Sequence, residues 1–368
     1  MQKKLIATSA ALAVAASVLM AAVPASAATN ITGKGSSFAN NAIQYCAAHY
    51  NPSNDDTVAY TSTGSGVGRS EFAAGNVNFA VSDGTYTAGA SGTPTFRYVN
   101  VPLFGGPVVF AYNQTKSFKV GSKSHKMPAG LKLDAATISK ILKGTITKWN
   151  DSRIQALNVG KVLPNHVINV YYRTSGSGTT ANLTTYLAQV NGSGWTAGSK
   201  DLLAAAGGTL AAGARAKATS SVIADLVESD LYGFGYFDLS DAAANHVNKV
   251  SLKNAAGAYV APSVSAAQKF LNAQTSIHDS SNSLTGDATD GTLSIDFTKR
   301  VSGAYQLSIV TYGIAHRGTS TSSANYSVKL FFRNVLGSCL TSYGPTHGYV
   351  PLTGALKTEA TTQIAAIG

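Results

Sequence analysis

The sequence predicts an α/β fold with mostly parallel strands, and three observations carry that reading. Short apolar runs alternate with stretches that repeat apolar residues every three to four positions, as expected when helices cross over between strands of one sheet. The chain has 368 residues, 44% of them hydrophobic and only 12% charged, which suffices for a real core and gives too little charge density for disorder. Three loops rich in Gly, Ser and Thr lie where a strand pattern gives way to a helix pattern. At roughly 150 residues per domain, the length suggests two domains.

Residues 1–27 read as a cleavable export signal. Lys3 and Lys4 form a positive start, an apolar stretch follows over 5–23, and Pro24-Ala25-Ser26-Ala27 supplies a small-residue cleavage site before Ala28. A membrane anchor is the alternative, but the cleavage signal sits directly behind the apolar stretch. No other stretch approaches the ~18 apolar residues needed to span a bilayer. The first cysteine is Cys46, so lipid attachment at the cleavage site has no acceptor. The mature chain, 28–368, is therefore expected in the periplasm or secreted, without a lipid anchor.

Strands are expected at 57–61, 77–81, 107–112, 167–172 and 307–314. Helices are expected at 38–50, 67–75, 135–143, 151–157, 179–190, 221–229, 264–273 and 327–339. In the first helix Ile43, Cys46, Ala47 and Tyr50 share one apolar face; in the last, Val328, Phe331, Phe332, Val335, Leu336 and Cys339 do. Both cysteines thus face a core, and export permits a Cys46–Cys339 disulfide, with two buried free thiols as the alternative. Such a bond would stabilise by roughly 4–5 kcal/mol in the chain-entropy model. Two cysteines are too few for a four-Cys zinc site or a disulfide-dense scaffold. Residues 274–296, rich in Ser, Thr, Asp and Gly, read as a surface excursion. Residues 114–130, with Lys116, Lys119, Lys123 and Lys126, read as a solvated loop with a basic face.

The loops carry the chemistry. They are Gly33-Lys34-Gly35-Ser36-Ser37-Phe38, Ser62-Thr63-Gly64-Ser65-Gly66-Val67-Gly68 and Arg173-Thr174-Ser175-Gly176-Ser177-Gly178-Thr179-Thr180. Each offers backbone N–H groups at a helix start together with hydroxyl donors, which suits an oxyanion. Ligands of open α/β sheets bind at the carboxyl ends of strands, where these loops fall. Ser and Thr ahead of a helix more commonly just cap it. Three such loops, one led by an arginine, shift the balance towards a site. No loop fits a nucleotide-binding glycine pattern, and there is no G-x-S-x-G or H-E-x-x-H. The seven histidines show no metal-ligand spacing, so no metal, no cofactor and no catalytic group is expected. The net charge is +11, but the lysines are dispersed without interleaved aromatics, which argues against nucleic acid.

Together these segments resemble the periplasmic phosphate-binding proteins, the substrate-binding subunits of bacterial phosphate ABC transporters. The resemblance runs in order along almost the whole mature chain. It is carried by the three loops, by Asn78-Phe79-Ala80-Val81-Ser82-Asp83, by the segment from Leu142 to Trp149 and Asp151, by Gly233-Phe234-Gly235-Tyr236, and by the run from Gln306 to Tyr312. It implies a two-lobed type II periplasmic-binding-protein clamp with a twice-crossed hinge. One lobe would comprise 28–105 and 306–368, the other 106–305, with crossings near 105–110 and 306–311. Both cysteines then fall in the first lobe.

The resemblance further implies an exported, non-catalytic monomer that captures inorganic phosphate between its lobes for an ABC permease in the cytoplasmic membrane. The implied ligands are the Ser37 hydroxyl, the Phe38 N–H, Ser65, Arg173, Ser177, Gly178 and Thr179 as donors, and Asp83 as the one acceptor. A carboxylate facing an anion is favourable only if the anion carries a proton, as phosphate does near neutral pH and sulfate does not. With sulfate, the lone pairs of Asp83 would stay buried and unpaired beside a like charge. Without the resemblance, Asp83 reads as a strand-end cap on the turn at Gly84-Thr85. Two positions depart from the family pattern. Ser175 stands where many relatives carry an Asp, and Arg69 in the first turn of a helix is read as facing solvent. Alternatives are another oxyanion or a phosphate ester in the same clamp, or a secreted adhesin-like surface protein reusing the fold. A phosphatase lacks a visible nucleophile–base pair or paired metal site.

Overall fold

A computed structural model describes residues 28–368 apart from 53–54, 87–91, 175, 191–194, 196–197, 199, 275–276, 280–288 and 319–321. The export signal at 1–27 and the substitution at Ser175 thus lie outside the described residues. The chain opens with β1 (Asn30–Gly35), α1 (Asn40–Ala48), β2 (Thr57–Ser62), α2 (Ser65–Ala73) and β3 (Phe79–Ser82). A single long strand, β4 (Tyr98–Asn113), follows, then the hairpin β5 (Ser117–Val120) and β6 (Lys123–Lys126). Next come β7 (Lys132–Leu133), α3 (Ala135–Leu142), α4 (Ser152–Leu157), β8 (Asn169–Arg173), α5 (Gly178–Val190), α6 (Leu203–Gly207), β9 (Arg215–Lys217), α7 (Ser220–Ser229) and β10 (Gly233–Asp238). The chain continues through α8 (Leu239–Ala244), β11 (Val247–Lys249), β12 (Ser251–Lys253), β13 (Tyr259–Val260), α9 (Val264–Asn272), β14 (Ile277–Asp279) and β15 (Thr289–Leu293). It closes with β16 (Ser308–His316), α10 (Ser323–Asn334), a π-type turn at Val335–Cys339, α11 (Leu340–Tyr343), β17 (Val350–Pro351) and α12 (Gly354–Ala365).

The main sheet runs β2-β1-β3-β16-β4-β10-β8-β9, with β11 and β17 also on β4. It is mixed, which corrects the expectation of mostly parallel strands. The outer strands are parallel, β1 to β2 and β3, and β8 to β9 and β10. The centre is antiparallel, β16 to β3 and β4, and β10 to β4. The reason is topological. Helical crossovers such as α1 and α2 return the chain to the same edge and force parallel neighbours. β4 and β16 instead join the two halves, antiparallel to each other, with β16 running against β3 and β4 against β10.

β4 was legible only from residue 107 on. All sixteen of its residues are buried, so it shows no inside–outside alternation, and Asn100, Pro102, Gly105 and Gly106 interrupt its apolar run. Its first part pairs with β16 and its second with β10 and β11. The β16 register slips between Thr311 and Tyr312, opposite Phe104 and Pro102, so the proline sits at a bulge.

The predicted helices form within a few residues of their expected bounds. The last one starts earlier, at Ser323, and yields at Val335 to the π-type turn. Helices α6, α8, α11 and α12 were not expected. Segment 114–130 is not a loop but carries the β5–β6 hairpin, solvated as expected with Phe118 turned inward. Within 274–296 the described part includes the strand pair β14–β15. Cys46 and Cys339 are disulfide-bonded, with Cα atoms 5.7 Å apart, tying α1 to the turn behind α10.

Candidate functional site

Loop β1–α1 is fixed at both ends. The Ser36 N–H donates to the Val81 carbonyl (2.7 Å), the Tyr60 hydroxyl to the Ser36 carbonyl (2.8 Å) and the Tyr349 hydroxyl to the Phe38 carbonyl (3.1 Å). Its neighbour, the β2–α2 loop, leans on it through the N–H groups of Thr63 and Gly64, both donating to the Gly35 carbonyl. The β8–α5 loop meets the second loop backbone to backbone. The Gly66 N–H donates to the Gly176 carbonyl at 2.7 Å, and a Cβ on Gly66 would lie 2.7 Å from the Gly176 Cα. Gly178 is likewise required: a Cβ there would come within 2.6 Å of the Ser65 hydroxyl.

Asp83 lies where the three loops converge, just past β3, and is 3% exposed. Its Oδ2 accepts from the hydroxyls of Ser36 (2.7 Å), Ser65 (3.4 Å) and Thr179 (3.4 Å). Its Oδ1 accepts from Thr311 (2.8 Å). The Asp83 N–H donates to Ser65 Oγ (3.2 Å), and the Asn182 side chain donates to its carbonyl (2.6 Å). Burial raises the carboxyl's pKa, opposed by the hydroxyls of Ser36 and Thr311, the charge of Arg173 and the hydroxyl of Thr179.

Arg173, 2% exposed, forms the opposite pole. Its Nε and Nη2 donate to the Ala218 carbonyl (3.1 and 2.7 Å) and its Nη1 to Ser220 Oγ (3.3 Å). Burial lowers its pKa, against Tyr236, Asp83, Asp238 and Asp241, which favour the charged form. Ser37 belongs to this pole: its hydroxyl accepts the Ser220 N–H (3.2 Å) and lies 3.3 Å from Ser220 Oγ. Tyr236 anchors the loop behind, accepting the Arg173 N–H (3.2 Å) and pairing with Thr180 Oγ1 (2.7 Å).

The eight residues singled out in the sequence all lie on or beside these three loops, in different capacities. Ser65, Gly178 and Thr179 surround Asp83, while Ser37 and Arg173 meet at Ser220. The Phe38 ring is fully buried in the core. Ser177 Oγ accepts the Thr180 N–H (3.1 Å), so its hydroxyl caps α5. Arg69 does not face solvent, which corrects the expectation. Its Nη1 donates to Ser82 Oγ (2.9 Å) and the Gly84 carbonyl (3.2 Å), on either side of Asp83, because the Tyr86 ring and the β3 turn close over it.

Sequence reasoning missed Ser36, Ser220, Thr311, Tyr236 and Asn182 as members of the site. Thr219-Ser220-Ser221, the N-cap and first residues of α7, repeats the pattern of hydroxyls at a helix start seen in the other loops and could have been found by that signal. Thr311 and Tyr236 sit within the quoted family segments, but nothing local distinguishes them. The assembled site is a buried cluster of neutral donors around the Asp83 acceptor with the Arg173 cation opposite, suited to a small anion that also carries a proton.

A family model described as a PBP superfamily domain matches residues 21–332. The phosphate-binding protein PstS 3 of Mycobacterium leprae (strain TN) is 30% identical over 318 residues, covering 84% of this chain and 79% of that protein. The phosphate-binding protein PstS 3 of Mycobacterium tuberculosis (strain ATCC 25618 / H37Rv) is 28% identical over 321 residues, with the same coverage of each. Among solved structures, a high affinity periplasmic phosphate-binding protein (PfluDING) bound with phosphate superposes with a TM-score of 0.69 at 20% identity, covering 91% of this chain and 93% of that one.

Proposed function

The chain belongs to the periplasmic phosphate-binding proteins, two-lobed type II members of the PBP superfamily, and on that premise we propose that it captures inorganic phosphate between its lobes. Asp83 among four hydroxyl donors, opposite a buried arginine, carries this reading. The lobes are 28–105 with 306–368, and 106–305, joined where β4 and the segment leading into β16 pass between them. The phosphate ligands are the Ser37 hydroxyl, the Phe38 N–H, Ser65, Arg173 and the α5 start at Ser177, Gly178 and Thr179. Asp83 accepts a hydrogen bond from the O–H of the protonated phosphate. The protein acts as an exported monomeric receptor without a cofactor, freed of residues 1–27, and delivers its ligand to an ABC permease rather than transforming it.

Binding exchanges water around the anion for hydroxyl and N–H dipoles held at the loop ends, with Arg173 offsetting one charge through a forked contact. Hydroxyls that now point at Asp83 rotate to the ligand. Closure couples contacts from both lobes, a hinge motion.

Titration calorimetry on the ligand-stripped chain 28–368 with phosphate, arsenate and sulfate tests the reading. Phosphate and arsenate, both protonated near neutral pH, should bind and raise the melting temperature, and sulfate should bind far more weakly. Absence of any phosphate heat or thermal shift would overturn it, and release of phosphate from a chromogenic ester would point to an enzyme.

A further inference from the structure

We infer that Arg69 is a positioning residue for specificity, holding the turn that aims Asp83 and so setting the preference for protonated over unprotonated tetrahedral anions. The inference rests on the phosphate reading above and goes beyond it by assigning selectivity to a residue outside the expected ligand set.

The geometry is that of a clamp. The Arg69 guanidinium reaches from the first turns of α2 and bonds Ser82 Oγ (2.9 Å) and the Gly84 carbonyl (3.2 Å), the two neighbours of Asp83. Ser82 is tied to Gly84 in turn: its hydroxyl donates to the Gly84 carbonyl and accepts the Gly84 N–H (3.2 Å). The guanidinium lies 5.9 Å from the centroid of the Tyr86 ring, and the Tyr86 hydroxyl donates to the Arg69 carbonyl (2.7 Å). The arginine is thus gripped from its own backbone and by a ring, and it closes the turn Ser82-Asp83-Gly84 from outside the pocket. Burial lowers its pKa, against Tyr86, Asp201 and Asp83, which favour the charged form.

Two effects of Arg69 can be separated. Its positive charge attracts every anion in the pocket alike, so losing it weakens phosphate and sulfate together. Its grip on the turn fixes the direction of the Asp83 lone pairs. A fixed carboxylate rewards a ligand O–H and rejects an oxyanion, whereas a loosened one can turn away and tolerate sulfate. Specificity is a difference of affinities, so only the second effect alters the ratio.

The experiment measures phosphate and sulfate affinities by calorimetry at pH 7 for the wild-type chain 28–368 and for R69M, R69K and S82A, with the melting temperature of each. The expected result is a phosphate-to-sulfate ratio about ten-fold lower in R69M, about three-fold lower in S82A and largely restored in R69K. If R69M does not fold, S82A carries the test, since it removes an acceptor of the clamp without touching a charge. A wild-type chain that binds phosphate but whose ratio survives unchanged in R69M and S82A overturns the role of Arg69 alone. A wild-type chain that fails to bind phosphate, or binds sulfate equally, overturns the underlying reading and this inference with it.

Discussion

Two buried aspartates stand at the carboxyl ends of strands in this molecule, and their surroundings assign them opposite roles. Asp83, after β3, is 3% exposed; Asp238, the last residue of β10, is 1% exposed. Asp83 accepts four hydroxyls and feels Arg173. Asp238 accepts one N–H, that of Asp241 (2.8 Å), and its Oδ2 has no hydrogen-bond partner among the described residues. A second carboxylate, Asp241, stands beside it, and burial together with that neighbour pushes the Asp238 pKa well above the ordinary carboxylate range. Burial raises both groups, so desolvation does not tell them apart. The number and sign of their partners does. Asp83 is equipped to be an acceptor, while Asp238, whose carboxyl is pushed towards its neutral form by burial and by Asp241, serves as the N-cap of α8.

The largest test of this contrast is Asp83→Asn. An amide of the same shape offers an N–H where the acceptor stood, so the preference for phosphate over sulfate should fall by roughly a hundred-fold or more, since sites built around one polar partner reject analogues by such factors. Calorimetry with both anions reads it, and retained discrimination would contradict the acceptor role. Next is Arg173→Ala, which removes the buried cation that acts on Asp83. Phosphate affinity should drop by at least ~2 kcal/mol, because a buried charged ligand loses its partner. Unchanged affinity would place the anion elsewhere. Third is Ser36→Ala, which takes away the 2.7 Å donor to Asp83. The expected loss is about 1.5–3 kcal/mol of folding stability, as for hydrogen bonds to charged groups, seen as a lower denaturant midpoint with an unchanged slope.

The sequence made the loops legible but not their wiring. The strand–Gly/Ser/Thr–helix junctions were visible because they break two periodicities at once, and each contributes to the site. Which hydroxyl of Ser36-Ser37 faces Asp83 was not visible, because a non-repeating loop has no period from which to infer direction. Ser36 takes that contact, and Ser37 turns to Ser220. Arg69 was misplaced for a related reason. In the sequence it reads only as a residue in the first turn of a helix, whereas its partners, Ser82, Gly84 and Tyr86, lie thirteen or more residues on. In the fold, the antiparallel centre was missed because β4 is covered throughout and shows no alternation. The disulfide was legible because both cysteines lie on helical faces that also carry large apolar residues.

The smallest expected effect sharpens the contrast most, because it separates stability from binding. In Asp238→Asn an amide replaces a carboxyl that burial and Asp241 push towards its neutral form, so phosphate affinity should stay within about two-fold of wild type. Stability should respond to pH instead. A carboxyl whose folded pKa is raised contributes its full stability below its unfolded value of about 4 and loses it as pH rises towards the folded pKa, since the unfolded chain gives up that proton first. Wild type and Asp238→Asn should therefore run together near pH 4, and the variant should become progressively the more stable of the two towards pH 8. The sign is the same for Asp83, whose pKa is also raised, so Asp83→Asn should flatten the stability profile too, while only that variant loses anion discrimination. Denaturant titrations from pH 4 to pH 8 on both variants decide it. Parallel curves for wild type and Asp238→Asn would mean that Asp238 is charged in the folded protein, and the division of labour between the two aspartates would fail.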